Sequence, residues 1–80
     1  MNNMTDREFL NMMIEKYHIE DFDDASRMCD ILYRYARIAI EISEADNHKY
    51  GKDCEKELES AAGKLSICSD IFRRAYLDEI

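Results

Sequence analysis

The stretch "CEKELESAAGKLSICSDIFRRA", Cys54 to Ala75, decides the fold. Cys54, Leu58, Ala61, Leu65, Cys68, Phe72 and Ala75 recur at alternating steps of four and three, which lays an apolar seam along one side of an α-helix. A helix is predicted over about 53–78, with Asp53 as its cap. Gly63 falls inside it at a cost of about 1 kcal/mol relative to alanine, which is read either as a packing requirement at that position or as a glycine that is simply tolerated.

Upstream, Met28, Leu32, Tyr35, Ala39 and Ile42 repeat the same steps, so a second helix is predicted over about 23–49. Gly51 is read as its left-handed C-cap, with His48 and Lys49 favouring the carbonyl end. An antiparallel hairpin then sets Ala36 and Ala39 against the small stretch Ser60 to Gly63. A shorter first helix is predicted over about 5–17, capped by Thr5 with Glu8 three residues on and carrying Phe9, Leu10, Met13, Ile14 and Tyr17. Asp21 or Asp23 caps the second helix. The expected architecture is all-α: an antiparallel three-helix unit in one domain over residues 1–80, with a short first helix and a heptad-patterned hairpin of two long ones.

The second helix is too apolar for the hairpin alone. Beyond its seam it carries Cys29, Ile31, Tyr33, Ala36, Ile38 and Ile40, leaving a polar strip of Arg27, Asp30, Arg34, Arg37, Glu41, Glu44 and His48. The third helix has a second apolar edge at Ile67, Ile71 and Leu77. Ile31, Tyr33, Ile38, Ile40, Ile67 and Ile71 are therefore read as a face for a partner or for dimerisation, possible because such patches mark contact surfaces. The alternative is a monomer in which the first helix folds across both long ones.

Composition supports long helices with short connections: 46% apolar and 36% charged residues, no proline, no tryptophan and two glycines in 80 residues. A chain this short buries about 60 to 65% of its unfolded surface, so a covering partner is a natural expectation. No basic flank precedes an apolar core at the amino terminus and no apolar run reaches a membrane span, so a cytoplasmic protein is expected. Cys29, Cys54 and Cys68 form no C-x-x-C pair and are read as reduced, structural thiols.

The segment "EISEADNHKYGKDC", Glu41 to Cys54, holds the densest set of candidate ligands. Glu41 and Glu44 form an E-x-x-E, as a magnesium site for nucleotide phosphates requires. This half resembles the MazG-type all-α nucleoside triphosphate pyrophosphatases, a resemblance confined to the hairpin, which implies a Mg²⁺-dependent hydrolase or a degenerate relative. The matching E-x-x-D is missing, since the third helix offers Glu57, Glu59 and Asp70 in other spacings. Zinc is disfavoured because His48 and Cys54 flank a turn and His18 has no ligand spacing around it. No nucleophilic triad or phosphate-cradling glycine loop is present in the sequence. The segment is read as a helix end, with no catalytic residue, metal or cofactor assigned.

Charge is more informative. A net charge of −7 argues against direct nucleic-acid binding. Glu41, Glu44, Asp46, Asp53, Glu55, Glu57 and Glu59 gather at the turn end and are read as a negative surface for a protein with a basic groove, although Lys49, Lys52 and Lys56 dilute it. The expected function is a non-enzymatic protein-binding module, an inhibitor or adaptor of the kind a phage uses against a nucleic-acid-binding machine. A structural homodimer is the further alternative.

Overall fold

The computed structural model describes residues 4–80 and consists of three helices: α1 (Asp6–Tyr17), α2 (Phe22–Ala45) and α3 (Lys52–Tyr76). The all-α three-helix architecture is thus as the periodicity requires, with α2 and α3 forming the antiparallel hairpin. Among the described residues no helix is long and apolar enough to cross a membrane.

Two helix starts follow from their caps. Thr5 Oγ1 accepts the Glu8 backbone N–H at 3.1 Å, and the Thr5 hydroxyl donates in turn to the Glu8 carboxylate at 3.0 Å. Asp21 Oδ1 accepts the Asp24 N–H at 3.1 Å, and Asp23 and Asp24 add negative charge to the first turn of α2. His18 ends α1 in the left-handed region (φ 56°), and its N–H donates to the Ile14 carbonyl.

The other end of α2 differs from the expectation. The helix stops at Ala45, and Asn47 and His48 both take left-handed backbone angles (φ 53° and 58°). Gly51 does not cap α2. It is the N-cap of α3 at φ 89°, and Asp53 lies inside the first turn instead of capping it. The turn is held by a hydroxyl that the helical period does not reveal, as described below.

The hairpin seam lies one residue away from the predicted phase. On α2 the buried residues are Ser26, Ala36, Ile40 and Ser43, with Cys29 half-buried. Met28, Leu32, Tyr35 and Ile42, predicted to face α3, are all exposed. On α3, Glu55, Ala62 and Ser69 take the places predicted for Cys54, Ala61 and Cys68, while Leu58, Leu65 and Phe72 stay at least half-buried. The physical reason is visible at both ends of the seam. Ser26 Oγ donates to the Ser69 carbonyl at 3.1 Å, and Ser69 Oγ donates to Asp30 Oδ1 at 2.6 Å, with Arg73 on the other Asp30 oxygen at 3.3 Å. At the turn, Ser43 Oγ donates to Glu55 Oε2 at 2.6 Å. Buried polar atoms must be paired, and here they find their partners across the hairpin. Between the two knots Ala36, Ile40 and Ala62 close the seam with small and medium apolar volume.

The apolar core sits at the open end of the hairpin. Leu10, Ile71 and Phe72 are buried there, with Phe9, Met13, Ile19, Phe22, Ala25, Cys29 and Cys68 packed around them. Phe72 meets Phe9 and Phe22 at ring-centroid distances of 5.6 and 6.0 Å. Arg74 binds Asp6 at 2.8 Å, and Arg7 donates to the Ile80 carbonyl at 2.7 Å, fastening α1 to the end of α3. The short connection of residues 18–21 keeps α1 beside the start of α2, and twelve residues span about 18 Å. Helix α1 therefore covers one end of the hairpin and does not fold across the whole length of both long helices.

Candidate functional site: the outer face of α2

The residues displaced from the seam form a surface of their own. Met28, Ile31, Leu32, Tyr35, Ile38 and Ile42 are exposed large apolar side chains, and half-buried Ala39 lies among them. Their spacing of three and four residues places them in one stripe along α2, about 21 Å from end to end at 1.5 Å per residue. Tyr35, in the middle, is 65% exposed. At 100° per residue the stripe is turned roughly 105° from the buried row through Ala36, Ile40 and Ser43. One edge carries Arg27, Arg34 and Glu41, each immediately preceding a stripe residue.

The predicted apolar face divides accordingly. Ile31 and Ile38 are exposed and belong to the stripe. Tyr33, 37% exposed, lies on another side of α2. Ile40 is 7% exposed in the hairpin seam, and Ile71, 8% exposed, belongs to the core under α1, so neither is available to a partner. Ile67 is 63% exposed on α3, beside Met4, Asp6 and Phe9 of the α1 end, and is separate from the stripe.

The acidic end also loses a member. Glu41, Glu44, Asp46, Asp53, Glu57 and Glu59 are exposed, as a negative surface requires. Glu55 is buried and turned inward, where it accepts from Ser43 and shares both oxygens with His48 Nδ1 at 3.0 and 3.1 Å. Ser43 Oγ also accepts the Tyr50 N–H at 3.0 Å, and the Ser43 carbonyl accepts the Lys49 N–H at 3.0 Å, so one serine organises the whole turn. The Ser43 hydrogen bond, helped by His48 and by the Lys52 charge and opposed by burial, holds the Glu55 carboxyl below its usual range. The sequence carried a weak signal for this clasp, with His48 and Glu55 seven residues apart across Gly51.

Among the described residues, no three His, Cys, Asp or Glu side chains converge in a group able to hold a metal ion. Glu41 and Glu44 are exposed on α2, and the inward carboxylate of α3, Glu55, serves the turn. Cys29 and Cys68 are half-buried, and burial raises both thiol pKa values, with Cys68 and Asp30 adding to the shift at Cys29. Both thus favour the unreactive thiol form. Cys54, predicted to start the seam, is exposed.

Compared with protein-family models, with curated proteins and with solved structures, the chain finds no match in any of the three.

Proposed function

We propose that this chain is a small non-enzymatic interaction module of the cytoplasm, and that it works by laying the outer face of α2 against another protein surface. The observation that carries the reading is the stripe itself. Six large apolar side chains are held on the outside of α2, while Ser26, Ala36, Ile40 and Ser43 occupy its inside. A contiguous apolar surface rimmed by charge is the usual form of a protein contact site. The six exposed carboxylates at the turn end add a field that steers a basic partner toward the molecule and speeds encounter more than it tightens binding. An inhibitor or adaptor fits this division, the stripe supplying a protein contact and the separate acidic end a surface that a basic partner can meet.

The test is photo-crosslinking in the producing cell, with a benzophenone amino acid in place of Tyr35 and, as control, in place of exposed Ser66 on α3. The expected result is a protein adduct from position 35 that is absent from position 66 and disappears when Ile38→Glu is added. Equal labelling at both positions, or none at 35, would overturn the reading.

A further inference from the structure

We infer that the surface facing the α2 stripe is the same stripe of a second copy, in an antiparallel pair with its two-fold axis beside Tyr35. This rests on the proposed contact role of that face and names its partner. Measured from Tyr35, the stripe positions fall three, four and seven residues away in both directions: Leu32 and Ile38, Ile31 and Ala39, Met28 and Ile42. Any helical face is symmetric in this way about its central residue; what is particular here is that all seven positions are apolar. A two-fold interface must be self-complementary, each residue meeting its counterpart across the axis, and here an antiparallel copy sets every apolar position against another apolar one. Packing α2 on its copy this way builds a four-helix arrangement in which the exposed row becomes the central seam.

The charges along the edge select the same orientation. Arg27 precedes Met28 and Glu41 precedes Ile42, so when Met28 lies opposite Ile42 of the second copy, Arg27 comes beside the copy's Glu41, twice per dimer. A parallel pair would keep Arg27 and Glu41 at opposite ends of the interface. Charges flanking a helical seam set orientation in this manner. In the single chain Arg27 holds only an exposed contact to Asp23 at 3.3 Å, and Glu41 holds no ion pair among the described residues, so both remain accessible. Two like-charge contacts oppose the arrangement: Arg34, beside Tyr35, faces its own counterpart near the axis, and Asp24, eleven residues before Tyr35, comes opposite the copy's Asp46, eleven residues after it.

Sedimentation equilibrium on the full chain tests this, with helicity followed by circular dichroism to show that each variant is folded. The wild type is expected to be a dimer, and Tyr35→Glu a folded monomer. Arg27→Glu and Glu41→Arg should each weaken association by about tenfold, since two rim pairs are reversed in each dimer. The double variant Arg27→Glu/Glu41→Arg should return to within a few-fold of wild type, and Arg34→Gln should tighten the dimer. A monomer at every concentration would overturn the self-pairing; a Tyr35-position adduct with a different protein would then leave the proposed function standing, and no adduct would remove both. A dimer indifferent to Tyr35→Glu, or a double variant no better than the single ones, would overturn the antiparallel arrangement.

Discussion

The two long faces of α2 invert the usual distribution of residues. The inner face, which meets α3, is built from Ser26, Ala36, Ile40 and Ser43, whereas the outer face carries Met28, Ile31, Leu32, Tyr35, Ile38 and Ile42. A helix whose larger apolar side chains point away from its own hairpin is stabilised internally by paired hydroxyls and small-residue contact. Hydrophobicity and burial within the chain have been separated on this helix. The inner face fixes the register through polar pairs with strict geometry, and the outer one holds the apolar area that association would remove from water.

The largest effect is expected where the inner packing is anchored, at Phe72. Phe72 is 2% exposed and contacts Phe9 and Phe22, so Phe72→Ala is expected to cost about 3 to 5 kcal/mol, read from urea unfolding. At 80 residues that is a large share of the total stability, and substantial loss of folded protein is the expected outcome.

A smaller, pH-dependent effect is expected at the turn. Glu55 is held below the ordinary carboxylate range in the folded chain, chiefly by Ser43, so its contribution is present at neutral pH. It is lost as the pH falls from the unfolded carboxylate range through the lowered folded value. Glu55→Gln should therefore lower the thermal midpoint at pH 7, and the gap from wild type should close on acidification. A gap that is constant from neutral to acid pH would show that the carboxylate's charge is not what the clasp uses. Ser43→Ala should lower the midpoint at neutral pH, because it removes a donor to Glu55 and an acceptor for Tyr50 together.

Gly63 sharpens the picture in the opposite direction. A Cβ added there meets no atom within 4 Å, so of the two readings of this glycine the tolerated one holds. Gly63→Ala should stabilise the chain by about 1 kcal/mol in the same urea assay. Smallest of all, Tyr35→Glu should change the unfolding free energy of the monomer by no more than about 0.5 kcal/mol, because the side chain is 65% exposed in the single chain.

The helices, the Thr5 and Asp21 caps and the hairpin were legible in the sequence because local chemistry specifies them. The phase of the seam was not. Periodicity locates apolar stripes, and α2 has enough apolar residues to offer several, so the strongest heptad pattern was assigned to the nearest partner when it belongs outside. Ser26, Ser43, Ser69 and Glu55 read as surface residues until their mates on the opposite helix are known, since a hydroxyl is at home in a core only when a specific acceptor meets it. The acidic end was legible apart from Glu55, the one carboxylate of the cluster whose neighbour Ser43 draws it inward.

The most direct test of the division between the two faces is the concentration dependence of thermal unfolding. Partners that bind only the folded chain raise its midpoint by mass action. The wild-type midpoint is expected to climb steadily over about a hundredfold range of protein concentration, while Tyr35→Glu should melt at one temperature throughout, close to the dilute wild-type limit. A wild-type midpoint independent of concentration would contradict the assignment of the outer face to a second copy, and a concentration dependence retained by Tyr35→Glu would place the association elsewhere on the molecule.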